Sequence, residues 1–202
     1  MLKFNHRHSK DIDIFFPDRQ FLGCVSPRVN DAIEVEKFNE RENGIKLFLP
    51  EDEGEIDFVA AFPVTPIKPS LQIVAGISSY VEDPVEIVAK KLVYRTDYFK
   101  PRDVFDLAVV YDSIPSEMLK AAPFIAPKLE ALENRFNIID SSGELEPRLQ
   151  EIILFDGGQK VRGLEMEICR QYLKDISQHM KQTSEEALKT DGLGARTKFP
   201  NG

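Results

Sequence analysis

The chain has 202 residues, of which 42% are hydrophobic and 30% charged, ordinary values for a globular protein that exclude a fibrous, collagenous or wholly disordered chain. Lys plus Arg number 26 against 34 Asp plus Glu, a formal net charge of −8, which argues against a whole surface built for phosphate backbones and leaves room for a local basic patch. Cys24 and Cys169 lie far apart with no CxxC spacing, so neither a disulfide framework nor a zinc site is expected, and with no apolar run of signal-peptide or membrane-helix length the reading is a cytoplasmic protein.

The first half reads as short apolar runs broken by turn residues. Strands are predicted at Asp11–Phe16, Ile45–Leu49, Glu55–Phe62 and Leu71–Ala75, punctuated by Pro17, Pro50, Glu53-Gly54, Pro63 and Pro66. Between the first two, Val29, Ala32, Ile33 and Glu36 fall at roughly helical spacing, which predicts a short helix within Arg28–Arg41. Beyond residue 80 the period changes. Asp83-Pro84 opens a helix with Val85, Val88, Ala89 and Leu92 on one face, and Lys100-Pro101-Arg102-Asp103 opens another with Val104, Leu107, Ala108 and Tyr111. Helical stretches follow at Met118–Phe136, broken or bent at Pro123 and Pro127, and at Leu145–Phe155. Asp156-Gly157-Gly158 lacks the G-K-(S/T) ending of a phosphate loop and is read as a helix-to-helix loop. Leu164, Ile168, Tyr172, Leu173, Ile176 and Met180 form a long core-facing stripe, and the polar residues beyond Gln182 are expected to be a mobile tail. Strands first and helices afterwards imply an α+β fold, divided as a core at 1–112, a helical part at 113–182 and the tail at 183–202.

The segment most informative about chemistry is His8-Ser9-Lys10-Asp11-Ile12-Asp13-Ile14-Phe15-Phe16. On a strand, Asp11 and Asp13 point to the same face with Cα atoms about 6.6 to 6.8 Å apart, a spacing that one hard divalent cation such as Mg²⁺ bridges. Asp57, in the second acidic strand, is positioned to complete a three-carboxylate cluster. Two readings stay open on the residues alone: D-x-D also occurs on solvated strand faces, and Asp57 also suits a strand end at a sheet edge. His6, His8 and His179 have no metal-ligand spacing with the cysteines; His6 and His8 read as polar and partly exposed, and Arg7 as pinned by a carboxylate of the acidic cluster.

His6-Arg7-His8-Ser9-Lys10-Asp11-Ile12-Asp13-Ile14-Phe15-Phe16 resembles the "HR-x-S-x-D-(I/L/F)-D-(I/F)-F" signature of AbiEii/AbiGii toxin-like nucleotidyltransferases, a branch of the polymerase-beta-like superfamily. Glu86-Ile87-Val88-Ala89-Lys90-Lys91-Leu92 resembles that family's "E-I-(L/I)-A-x-K-L" helix, and Pro101-Arg102-Asp103-Val104-Phe105-Asp106-Leu107 its "(P)-R-D-(L/V)-(F/Y)-D-L" helix, in the same order. The resemblance covers roughly residues 2 to 111. It implies a small mixed sheet of the nucleotidyltransferase type with flanking helices, followed by a helical C-terminal part. It further implies that Asp11 and Asp13 hold Mg²⁺, that Asp57 is the third carboxylate, and that Lys91 faces the phosphates of an NTP. Arg102, Asp103 and Asp106 match the helical motif that supplies a cation near the nucleotide and an acid supporting it, and Ser9 belongs with the nucleotide-binding residues. Arg95, one turn after Lys91, adds a fork-shaped phosphate contact; on residues alone, Lys90, Lys91 and Arg95 also suit a solvated helix face. The family's "GG-(T/S)" turn has no counterpart here: Met1–Asn5 look like the end of a helix, so the turn is expected a few positions before Met1.

The implied function is transfer of a nucleoside monophosphate from an NTP to a hydroxyl, an RNA end being the expected acceptor and a cognate antitoxin the expected partner. Lys90, Lys91, Arg95, Lys100 and Arg102 are the local basic groups for RNA. The alternatives are a degenerate, non-catalytic nucleotidyltransferase-like module and a metal-dependent nuclease. The nuclease is disfavoured because Glu55 is followed two positions later by Asp57 rather than lysine.

Overall fold

The computed structural model describes residues 3–194, which fall into two compact units, residues 8–63 and residues 3–7 with 64–194. The units divide at 7/8 and 63/64 rather than at 112/113.

Unit 8–63 is a four-stranded sheet in the order β1-β4-β3-β2, with β1 at Ile12–Phe16, β2 at Lys37–Arg41, β3 at Gly44–Phe48 and β4 at Glu55–Ala60. β1 and β4 are parallel; β4–β3 and β3–β2 are antiparallel. The strand period of two divides the faces. Ile45, Leu47 and Phe58 are buried with Leu22 of α1 (Leu22–Val25), and Ile14, Phe16, Phe38 and Ile56 pack around them. The alternate residues, among them Asp13, Arg41, Lys46 and Asp57, occupy the other face. β2 lies where the helix over Arg28–Arg41 was expected. The two-residue turn Glu42-Asn43 reverses the chain so that Lys37–Arg41 pairs with β3, and pairing with a finished sheet edge outweighs a weak 3.6-residue period.

The other unit carries a two-stranded hairpin, β5 (Ser70–Val74) and β6 (Ile77–Val81), then α2 (Pro84–Tyr94), α3 (Pro101–Ser113), α4 (Pro115–Leu119), α5 (Ala122–Ile125), α6 (Leu129–Ser142), α7 (Leu145–Gln150), α8 (Asp156–Gln159) and α9 (Glu165–Gly194). Asp83 caps α2, its Oδ1 accepting from Val85 N at 2.9 Å, with proline at the first helical position. The prolines at 123 and 127 divide the third helical stretch into α4, α5 and α6. Val104, Leu107, Ala108, Phe136, Cys169, Tyr172 and Ile176 are buried in one core joining α3, α6 and α9. Glu86, the acid of the second motif, is also buried and accepts from Val64 N (2.8 Å), Thr65 N (2.8 Å) and Thr65 Oγ1 (2.6 Å), which fastens the entry segment of this unit to α2.

Four expectations are corrected. Lys3 and Phe4 form a turn and Asn5 is left-handed at φ 41°, so the described part of Met1–Asn5 is not a helix end. The helix from Leu145 stops at Gln150 because the chain then pairs with the N-terminal segment: Leu154 bridges Arg7, and Phe155 N donates to His6 O at 3.0 Å. Residues 183–194, expected as a tail, continue α9, and only its stretch Glu185–Lys189 has uniformly good helix propensity; 195–202 lie outside the described residues. Asp156–Gln159, read as a loop, makes one helical turn.

The glycines of that turn are needed for close approach. A Cβ on Gly158 would lie 2.4 Å from His6 O and 2.9 Å from the Phe105 ring, and one on Gly157 would lie 2.4 Å from Phe4 O. Gly158→Ala is therefore expected to destabilise the protein by roughly 1–3 kcal/mol. Gly23→Ala, where a Cβ meets nothing within 4 Å, is expected to cost nothing; urea unfolding of the two variants checks the contrast.

Candidate functional site

The residues singled out from sequence fall into two groups. Ser9, Asp11, Asp13 and Asp57 belong to unit 8–63; Lys91, Arg95, Arg102 and Asp106 belong to the helical unit. Each group is organised within its own unit.

In the sheet, the parallel register pairs Asp13 of β1 directly with Asp57 of β4, and the antiparallel register pairs Asp57 with Lys46 of β3 and Lys46 with Asn39 of β2. Paired residues share a face, so Asp13, Asp57, Lys46 and Asn39 form one row across the sheet. Asp11 lies two residues before Asp13, one residue ahead of β1, and Asp11 N donates to the Ser9 hydroxyl oxygen at 3.4 Å. Asp57 is buried; Arg41 Nη2 donates to its Oδ1 at 2.5 Å, and Lys46 Nζ lies 3.6 Å from its Oδ2 and 2.5 Å from Glu55 Oε2. Sequence reasoning missed Arg41 and Lys46 because their role depends on cross-strand register, which the expected helix over Arg28–Arg41 had displaced.

Among the described residues no three His, Cys, Asp or Glu side chains are gathered to hold a metal ion. Asp57 instead faces two cations, Arg41 and Lys46. Aspartates on adjacent strands are hard oxygen donors of the kind a Mg²⁺-type cation takes, but in this arrangement they are not gathered as a metal-holding set.

In the helical unit the three motifs meet at Asp106. Arg7 donates from Nε to Asp106 Oδ1 at 2.7 Å and from Nη2 to Oδ2 at 3.0 Å, a two-pronged pair. His6 Nε2 lies 2.9 Å from Oδ1, and Lys91 Nζ donates to Oδ2 at 2.7 Å. Lys91 also lies 3.0 Å from Asp103 Oδ1, while Asp103 Oδ2 accepts from Lys100 N at 3.1 Å and so anchors the start of α3. Asp106 is thus a partner of Arg7, and His6 is buried against Phe105 rather than partly exposed. Lys91, expected toward nucleotide phosphates, has its ammonium committed to two carboxylates and is nearly enclosed. Lys90 is buried as well and pairs with Glu82. Arg95 is more open, 3.9 Å from Asp103 Oδ1, and Arg102 is exposed on α3.

Burial alone would raise the pKa of Asp106, but the Lys91 charge, the hydrogen bonds of His6 and Arg7 and the Arg7 charge outweigh it and hold the carboxyl well below the usual range. Burial would likewise lower Lys91, and the charges of Asp106 and Asp103 with their hydrogen bonds raise it instead.

A small α+β unit with aspartates paired on parallel strands and a helical unit built from the Lys91 and Asp106 motifs are consistent with a nucleotidyltransferase-like fold. The family model described as "Nucleotidyl transferase AbiEii toxin, Type IV TA system" matches residues 1–152, and the chain belongs to that family of toxin–antitoxin nucleotidyltransferases. No curated protein and no solved structure gives a significant match. No helix among the described residues is long and apolar enough to cross a membrane.

The depressed Asp106 pKa contributes stability that is present above the ordinary value of about 4 and is lost as pH falls toward the folded value. The raised Lys91 pKa contributes stability that is present below about 10.4 and is lost as pH rises through its folded value. Asp106→Asn is expected to cost about 3–5 kcal/mol at pH 7, because it leaves buried cations uncompensated. The difference from wild type should shrink progressively below pH 5, as urea unfolding at pH 7, 5 and 3 would show.

Proposed function

We propose that the chain is a Mg²⁺-dependent enzyme that transfers a nucleoside monophosphate from an NTP to a hydroxyl, with Asp11, Asp13 and Asp57 as its catalytic carboxylates. The observation that carries this reading is the direct pairing of Asp13 with Asp57 across β1 and β4. In this reading Asp11 and Asp13 hold the metal through side chains fixed to the start of a strand. Asp57, buried and held by the sheet on both sides, is the ligand or base on the side of the attacking hydroxyl. When bound, Mg²⁺ supplies charge neutralisation for the transferring phosphoryl oxygens.

Ser9, Arg95 and Arg102 are the proposed phosphate contacts, Arg95 and Arg102 because they keep solvent access on the helical unit. Lys91 and Asp106 are proposed as positioning residues: their charges compensate one another and fix α2 against α3. The proposed acceptor is an RNA end, and a cognate antitoxin is the partner that a toxin–antitoxin family carries. Its proposed setting is the cytoplasm, where NTP and RNA are available.

A non-catalytic binding module is the second reading, favoured by the neutralisation of Asp57 by Arg41 and Lys46. The two separate in one assay. With each α-labelled NTP in turn, Mg²⁺ and total cellular RNA, the enzyme reading predicts incorporation of label that Asp13→Asn or Asp57→Asn reduces at least about a hundredfold, the scale of losing a group that acts on transition-state charge. Both variants are expected to keep the wild-type circular dichroism. Absence of incorporation with all four nucleotides, with the fold intact, selects the binding module.

A further inference from the structure

The connection between α2 and α3 turns its residues two ways. Thr96 and Phe99 are buried: Thr96 Oγ1 donates to Leu92 O at 2.6 Å, the Phe99 ring lies 5.7 Å from that of Phe136, and Phe99 O accepts from Arg135 Nε at 2.9 Å. A single 3₁₀ turn, Thr96–Tyr98, is closed by Tyr98 N donating to Arg95 O at 2.8 Å, and Lys91 ties the end of α2 to Asp103 and Asp106 of α3. Between these anchors the other side chains face water. Tyr98 is 77% exposed and Tyr94 53%; Lys100 and Arg102 are exposed, and the Arg95 side chain is 37% exposed. Asp97 is the one exposed acid from residue 94 to residue 102. On a chain of net charge −8, this segment sets three cations against one exposed acid and holds two tyrosine rings outward on a backbone pinned at both sides.

Rings standing in water beside cations suit unstacked nucleic acid, because any base stacks on an aromatic face and the cations take the phosphates. Bases in a duplex are already stacked on one another, so a protruding ring gains contact only from a single strand. A protein partner also uses tyrosine and arginine, but the excess of cations, with no aliphatic side chain among the exposed residues of the segment, favours a polyanion. We propose that the α2–α3 connection seats single-stranded RNA, an unpaired base stacking on Tyr98 and an adjoining phosphate resting on Lys100. The inference rests on the reading of RNA as the acceptor, and deepens it by giving the acceptor strand a seat and requiring it to be unpaired there. Arg95 and Arg102, assigned above to the NTP, belong to the same segment, so acceptor strand and NTP phosphates meet along one edge of the helical unit.

The seat is tested by fluorescence anisotropy of a labelled oligouridylate of about twelve nucleotides, within the usual site size for single strands, on the full chain without NTP or Mg²⁺. The proteins compared are wild type, Tyr98→Ala, Tyr98→Phe, Lys100→Gln and Tyr80→Ala, each with wild-type circular dichroism. Tyr80 on β6 is 76% exposed but stands in a stretch, Pro69–Val81, without a charged residue. Tyr98→Ala is expected to weaken binding at least about fivefold, the factor equivalent to about 1 kcal/mol for a lost stack. Tyr98→Phe, whose ring stacks without the hydroxyl, and Tyr80→Ala are expected to match wild type. Lys100→Gln is expected to lower the salt slope by about 0.7, the share of one phosphate contact on a single strand. No binding by the wild type overturns the seat, as does binding by Tyr98→Ala equal to wild type, or an equal loss in Tyr80→Ala. RNA affinity unaltered by Tyr98→Ala, while the same substitution breaks a complex with a second protein, makes the segment a protein contact and overturns the RNA seat. Tyr98-dependent RNA binding without incorporation from any NTP leaves the seat standing and overturns the enzyme reading alone.

Discussion

The helical unit depends on one buried carboxylate. Asp106 gathers Arg7 from the N-terminal segment and Lys91 from α2 onto α3, and His6 closes the remaining side. Desolvating these charges is costly, and the arrangement persists because each has partners: two aspartates, Asp103 and Asp106, face Lys91 and Arg7. The same carboxylate fixes the chain path. With Arg7 held at Asp106, the N-terminal segment lies where Leu154 and Phe155 pair with it, and Gly157 and Gly158 must be small to let it pass.

The sheet unit solves a different problem with the same residue types. Its apolar face is covered by α1 and the residues around it, and Asp13, Asp57, Lys46 and Arg41 lie on the other face. The parallel pairing of β1 with β4 then brings two aspartates side by side, and the hairpin of β2 and β3 supplies the cations that make this tolerable.

Asp106 and Asp57 are both buried aspartates with cationic partners, and the difference between them is the solvation of those partners. Arg7 and Lys91 are nearly enclosed, so the Asp106 cluster is a fixed scaffold. Arg41 is half in water, so the cation beside Asp57 is solvated where those beside Asp106 are not.

The sequence by itself determined the elements whose signals are local. Asp83-Pro84 and Lys100-Pro101 marked helix starts because capping and proline chemistry act within one turn, and the apolar strand Ile12–Phe16 marked β1 because its alternation is complete within five residues. The order of the three motifs was sufficient to indicate the family, which the match over residues 1–152 establishes. Tertiary structure alone decided which charges meet. That Arg7 pairs with Asp106, 99 positions away, that Lys91 is enclosed, and that Asp57 stands opposite Asp13 with Arg41 beside it all follow from strand register and helix packing. A carboxylate's pairing energy depends on a distance of a few ångströms in space, and no spacing along the chain encodes that distance.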